Sequence, residues 1–325
     1  GGEIRASAQM LDEVQLTRCN LRPIRRSSLV RTEKTSGQKI ASIHRGKLQK
    51  ILSRRLAEGS LRLDEGFERL DDQGDHVRFR TRQGWREASM VLGADGLRSQ
   101  VRQELWGCTE LRYAGQTCWR GVVHMDIPKE YLHQGVEAWG RKCRFGFAPI
   151  GPNSVYWFAV TKAPERQQDD RTWLKNGLLC RHAKFHPFVG DIISETLVDN
   201  IVRHDLHDLK RLDQWSAGRV CLIGDAAHAT TPNMGQGGGQ GVEDAYYMAR
   251  LLARHADPQT AFAEFEALRR PKVDYVVNTS WRFGQLAHQL IGRQLAIWAM
   301  RWTPERMLQK QIEKLYNVQI EGWDS

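Results

Sequence analysis

The residues with the clearest capacity for chemistry form one eighteen-residue run, Gly224-Asp225-Ala226-Ala227-His228-Ala229-Thr230-Thr231-Pro232-Asn233-Met234-Gly235-Gln236-Gly237-Gly238-Gly239-Gln240-Gly241. It follows a short apolar stretch and precedes apolar residues at helical spacing. An acidic residue at the C-terminal end of a strand can accept hydrogen bonds from ribose hydroxyls. The five glycines from Gly235 to Gly241 carry no Cβ, so the backbone can approach a flat or anionic ligand and aim N–H groups from a helix N-terminus at it. A second run, Gly93-Ala94-Asp95-Gly96-Leu97-Arg98-Ser99-Gln100-Val101-Arg102, repeats the order of strand, tight turn and helix. Asp95 and Gly96 suit the turn, while Ser99 and Arg102 offer a hydroxyl and a cation to a phosphate-bearing ligand. No metal site is expected, because Cys19, Cys108, Cys118, Cys143, Cys180 and Cys221 are far apart, with no Cys-x-x-Cys and no Cys/His cluster.

The elements that must position these runs suggest an α/β core. Residues 88–93 and 219–224 read as buried strands, each entering a glycine turn, and Val242, Ala245, Tyr246, Ala249 and Leu252 recur at helical spacing. Residues 41–56 read as a strand end followed by a helix. Residues 60–82 alternate short strand-like runs around the turn Asp71-Asp72-Gln73-Gly74-Asp75. From about Leu111 the texture turns aromatic and strand-like, with Trp119, Trp139, Phe145, Phe147, Tyr156 and Trp157, and a turn at Gly151-Pro152-Asn153. That predicts a second, mostly antiparallel sheet. Residues 171–184 read as helical. From Gln259 to Asn317 the pattern is again helical, and Phe262, Phe265 and Leu268 look like core-packing or dimer surfaces, so a monomer or homodimer is expected.

Composition bounds the alternatives. The chain has 325 residues, long enough for about two domains, and its 41% hydrophobic and 26% charged content fits a globular protein rather than a disordered one. The formal net charge is +10, yet the basic residues are scattered, so no nucleic-acid partner is expected. Well-separated cysteines and the absence of a signal pattern at the start suit a cytoplasmic location. The apolar stretch 286–302 is interrupted by His288, Gln289, Arg293 and Gln294 and falls short of the ~20 apolar residues of a transmembrane segment.

Together these runs resemble the class A flavoprotein monooxygenases, the para-hydroxybenzoate hydroxylase-like family, in order over essentially the whole chain. The run 93–102 is similar to that family's second dinucleotide motif and the run 224–245 to its FAD-ribose motif. Ile43-His44-Arg45-Gly46-Lys47-Leu48 is similar to the helix start whose Arg lies near the FAD pyrophosphate, and Gly2-Glu3-Ile4-Arg5 resembles an earlier loop. The resemblance implies FAD as cofactor, with Arg5, Arg45, Asp95, Asp225, Gly235, Gln236, Gly237, Gly238 and Gly239 as cofactor-binding positions. It also implies NADH or NADPH as transient reductant and O2 as co-substrate, with hydroxylation or epoxidation of a small aromatic or heteroaromatic substrate through a flavin hydroperoxide. No catalytic side chain is then required, and His228 reads as a packing or hydrogen-bonding residue.

The fold implied is an FAD-binding Rossmann-like domain, residues 1–110 and 205–270, interrupted by the substrate sheet of residues 111–204 and closed by a C-terminal helical region, residues 271–325. The family's opening strand and GxGxxG unit have no match here, and Gly1-Gly2 is not that motif, so an N-terminally shortened form is expected. The substrate candidates are Arg144, Tyr156, Pro232 and Asn233. Arg144 and Tyr156 lie twelve apart across the Gly151 turn, so a hairpin could place a cation and a phenol on one face. That spacing is similar to the substrate pair of bacterial urate hydroxylases of the family, but the position where those enzymes carry an acid holds Asn233. The plainer reading makes Arg144 a surface strand cation and Tyr156 and Trp157 core. A flavin-dependent reductase or halogenase, or an inactive flavin-binding fragment, are the alternative functions.

Overall fold

The computed structural model describes residues 2–30, 33–34, 37, 39–288, 294, 297–298 and 302–316. The N-terminal residue and residues 317–325, read above as part of the opening and of the C-terminal region, lie outside them. So do most of residues 289–301. The chain forms two compact units, one of residues 1–58, 115–205 and 286–317, the other of residues 59–114, 206–285 and 318–325.

The first unit opens with helix α1 (Gly2–Ser7), strands β1 (Gln9–Leu11), β2 (Glu13–Arg18), β3 (Pro23–Ser28) and β4 (Ile40–Ser42), and helix α2 (Arg45–Ser53). It continues through β9 (Leu111–His124), β10 (Gln134–Trp139), β11 (Cys143–Gly151), β12 (Ser154–Lys162) and β13 (Val202–Leu209). A seven-stranded sheet runs in the order β13-β9-β12-β11-β10-β2-β3. As predicted, β11 and β12 form a hairpin around Gly151-Pro152-Asn153. The sheet is mixed, because β10 pairs in parallel with β2. Strands β2 and β3 belong to it rather than to the sheet of the glycine turns. Glu13-Val14-Gln15-Leu16-Thr17-Arg18 buries Gln15 and Thr17, so its polar alternation concealed a buried strand.

Strict alternation makes the sheet two-faced. Along β12, Val155, Trp157 and Ala159 are buried while Tyr156 and Phe158 stay partly exposed. The buried face, with Phe145, Phe147 and Trp119, packs on Leu174 and Leu178 of α4 (Leu174–His182) and on Phe188, Val189, Ile192 and Ile193 of α5 (Pro187–Glu195). Each large side chain buried there contributes about 1.5–3 kcal/mol. Trp157 also donates its indole N–H to Thr196 Oγ1 at 2.9 Å, which satisfies the one polar atom it takes inside.

The second unit holds a three-stranded meander, β5 (Phe67–Asp72), β6 (Val77–Thr81) and β7 (Gly84–Ala88), and a sheet in the order β14-β15-β8. There β8 (Val91–Gly93) and β15 (Val220–Leu222) are parallel neighbours, with β14 (Ser216–Ala217) antiparallel at the edge. These carry helices α3 (Gln100–Trp106), α6 (Asp225–His228), α7 (Gly237–Arg254) and α8 (Pro258–His288). Trp215, Val220, Leu222, Met248, Leu251, Phe262 and Phe265 form their core. In the first unit's late segment the helix α9 (Glu305–Tyr316) follows. The chain thus has a mixed α/β fold with helices at its C-terminal end. Among the described residues no helix is long and apolar enough to cross a membrane.

Candidate functional site

In the second unit, β15 ends at Leu222 and the chain turns through Gly224 into α6, which places Asp225 at the strand's end. The Asp225 carboxylate is exposed and meets no hydrogen-bonding partner among the described residues. Pro232 is exposed at the start of a 3-10 turn that ends on Gly235, whose φ of +64° is left-handed. There a side chain would be strained. The glycine run starts a helix, as the sequence suggested. Gly237, Gly238, Gly239 and Gly241 form the first turns of α7, with Gln236 as its N-cap. A Cβ added at Gly235 or Gly238 would meet no protein atom, so the backbone there borders open space that a ligand can occupy.

What holds this turn is a buried ionic network that the sequence did not reveal. Asp244, on α7 and fully buried, accepts the Gly224 N–H at 2.7 Å and lies 2.6 Å from His228 Nε2 with its other hydrogen-bonding partner on the same oxygen. Its second oxygen accepts Arg269 Nε at 2.8 Å. Arg269, reaching over from α8, also donates to Glu243 Oε2 and Gln240 Oε1, both at 2.7 Å, and Lys272 closes on Glu243 at 2.8 Å. Burial alone would raise the Asp244 carboxyl, but the His228 hydrogen bond and the charges of His228 and Arg269 outweigh it and hold the group below the usual carboxylate range. His228 is therefore committed to Asp244 and packs on Trp215 with ring centroids 5.2 Å apart. A signal was present: Gln240, Glu243 and Asp244 share the helix face of the apolar Tyr247, Met248 and Leu251.

The second motif also turns inward. Asp95 accepts Ser99 Oγ at 2.5 Å and the N–H groups of Gln100 and Val101 at 2.7 and 3.2 Å, so its carboxylate secures the start of α3. Ser99 is that helix's N-cap. Arg102 corrects the expectation of a ligand-facing cation. It is buried and donates to Thr109 Oγ1, Ala226 O and Leu97 O at 2.6, 2.8 and 2.7 Å.

The remaining cofactor candidates lie in the first unit. Gly2-Glu3-Ile4-Arg5 is helix rather than loop, and Arg5 is exposed on it. Glu3 faces Arg54 and Arg55 at 3.7 and 3.6 Å. Arg45 is the exposed first residue of α2 and forms no ion pair among the described residues.

The substrate candidates divide. Asn233, in the second unit, donates from Nδ2 to Thr231 Oγ1 and to Ser280 O, each at 3.0 Å. An aspartate could not supply those donors. On the seven-stranded sheet, Arg144 pairs with Val160 and Tyr156 with Ala148. Even spacing puts Arg144 and Tyr156 on one face, but four residues apart along β12 they stand roughly 13 Å from each other. Arg144 is not a surface cation. It is buried and donates to Glu137 Oε1 at 3.0 Å and Gln116 Oε1 at 3.4 Å. The cation beside the Tyr156 phenol is Arg120 on β9. Burial raises the Tyr156 phenol above its ordinary range, with Arg120 pulling the other way.

Known proteins place this arrangement. The sequence matches the FAD binding domain family over residues 4–280, and the chain belongs to that family. It is 39% identical over 253 residues to the aurachin C monooxygenase/isomerase of Stigmatella aurantiaca, covering 77% of this chain and 65% of that protein. It is 34% identical over 249 residues to the 2-heptyl-3-hydroxy-4(1H)-quinolone synthase of Pseudomonas aeruginosa, covering 75% and 64%. The chain thus spans just under two thirds of the length of these relatives. In fold it resembles Klebsiella pneumoniae HpxO, solved with FAD and uric acid, with a TM-score of 0.89 at 23% identity over 97% of this chain and 82% of that one. The residues fit the family's cofactor: a solvent-facing carboxylate with no protein partner stands beside a glycine helix start bordered by open space.

Proposed function

We propose that this protein is an FAD-dependent monooxygenase that uses NADH or NADPH and O2 to hydroxylate or epoxidise a small aromatic or heteroaromatic substrate. The observation that carries the reading is the exposed Asp225 carboxylate, unpartnered among the described residues at a strand's end and followed by Gly235 and four glycines that start α7. Asp225 would accept the hydroxyls of the FAD ribose, and the N–H groups at the start of α7 would face its anionic part. When bound, FAD supplies the redox chemistry, taking electrons from the nicotinamide and passing one oxygen atom of O2 to an electron-rich substrate. The chain's residues do the rest. The Asp244–Arg269 network fixes the turn that presents Asp225, and residues 111–204 supply a substrate sheet whose half-exposed face carries Tyr156 and Phe158.

One relative is named as a 2-heptyl-3-hydroxy-4(1H)-quinolone synthase, which supports a heteroaromatic substrate. Asn233, committed to Thr231 and Ser280, argues against a urate-type substrate that needs an acid there. The test is NAD(P)H oxidation by the FAD-loaded protein with O2 uptake followed at an electrode and product mass measured for a panel of hydroxylated aromatics and quinolones. Substrate-dependent O2 uptake with a product one oxygen heavier is expected. Nicotinamide oxidation that leaves O2 untouched would assign a reductase instead.

A further inference from the structure

The polar side chains of the half-exposed sheet face differ in one respect. Arg144 is paired with Glu137 at 3.0 Å. Arg120 has no carboxylate partner among the described residues. Among the described residues its one hydrogen bond runs from Nε to Cys118 Sγ at 3.5 Å, and its two terminal nitrogens meet no acceptor there. Arg120 lies on β9 opposite Phe158, with Tyr156 two residues along, and both aromatics are partly exposed on that face. The titratable groups around it are Cys118 on its own strand, Tyr156 on β12 and His204 on β13. None supplies a negative charge at neutral pH, because burial raises both the Cys118 thiol and the Tyr156 phenol. Arg120 is half-buried, so its guanidinium can meet a charged oxygen that a ligand brings to this face.

Resting on the monooxygenase reading, we infer that Arg120 is the specificity-determining residue of the substrate face, holding an ionised or enol-type ring oxygen of an aromatic substrate that lies against Tyr156 and Phe158. The guanidinium offers terminal N–H groups in a planar fork suited to a charged oxygen. The neutral Tyr156 hydroxyl stands beside it as a second donor. The substrate class is therefore a phenol-like or hydroxyheteroaromatic molecule, bound in its anionic form in preference to its neutral one.

The test is binding rather than turnover. With FAD present, 4-nitrophenol and nitrobenzene are titrated into the protein by calorimetry between pH 5 and 9, a range in which the phenol ionises, and the nitrophenolate absorption reports its bound state. The unaltered protein is expected to bind 4-nitrophenol more tightly as the pH rises through the probe's ionisation, and nitrobenzene with no such rise. Arg120→Gln should weaken 4-nitrophenolate by about tenfold to a hundredfold, flatten its pH profile and leave nitrobenzene within about twofold. Arg120→Lys, which keeps the charge, should retain the pH profile. Equal weakening of both probes by Arg120→Gln, an unchanged pH profile in that variant, or failure of the unaltered protein to bind 4-nitrophenol would overturn the inference. The expected pattern in a protein that shows no O2 uptake would support Arg120's role and overturn the oxygenase reading alone.

Discussion

Replacing Asp244 with Asn isolates the network beneath the glycine turn. The carboxylate accepts the Gly224 N–H on the oxygen that also meets His228 and accepts Arg269 Nε on the other. Asn keeps the shape but turns one acceptor into an NH2 group, so a donor faces a donor on at least one side. Breaking a buried ion pair by removing one partner costs about 3–5 kcal/mol. Arg269 keeps Glu243 and Gln240, which argues for the lower end, about 3 kcal/mol. At roughly 2–4 °C per kcal/mol for a chain of this class, the thermal midpoint should fall by about 6–12 °C.

The pH profile gives a second reading of the same change. The Asp244 carboxyl is held below its usual range, so its contribution is fully present above the unfolded Asp value of about 3.9 and is lost as pH falls through the lower folded value. The variant should lack that part of the acid-induced loss. The assay is thermal unfolding by circular dichroism from pH 3 to pH 8 for both proteins. A midpoint at pH 7 within about 2 °C of the unaltered protein would refute the claim that this network holds the turn.

Asp225→Ala should leave the melting of the FAD-free protein within about 0.5 kcal/mol, since no described group depends on that carboxylate, while weakening FAD by about tenfold to a hundredfold in fluorescence titrations. Equal loss of stability and binding would make Asp225 structural. Gly146→Ala should cost about 1–3 kcal/mol in denaturant unfolding, because the new Cβ would stand 2.1 Å from the Phe158 ring and push it off the substrate face. A neutral substitution would mean that Phe158 does not rest where described. Below the unfolded His value of about 6.5, the buried His182, its pKa lowered by burial, should favour the unfolded chain, so His182→Gln should flatten stability between pH 5 and 7.

What could be read in the sequence was what is local along the chain. Asp225 and its glycines are consecutive, so the turn and the helix start that follow from them were visible without a structure. Their support was not, because Arg269 lies 25 residues from Asp244 and only the packing of α8 on α7 brings them together. The half-exposed sheet face was legible only in part, for a related reason. Spacing alone put Arg144 and Tyr156 on one hairpin face, yet register sets which cation stands beside the phenol, and the partner came from β9, two strands from Arg144 in the sheet. Strands β2 and β3 were hidden by Gln15, Thr17 and Arg25, polar residues in a sheet that buries or half-buries them. The second motif showed the converse: Ser99 and Arg102 had the residue types of a phosphate site, but Ser99 caps α3 and Arg102 turns inward to Ala226 O and Leu97 O.

The central claim is that the chain holds FAD through Asp225 and the glycine start of α7. It is tested most directly by the visible absorption spectrum of the purified protein before and after FAD is added and unbound flavin removed. A flavin band that co-purifies with the protein, or is retained after addition, with its vibrational structure shifted from that of free FAD and lost in Asp225→Ala, is the result predicted. A colourless protein that retains no added FAD would contradict the claim.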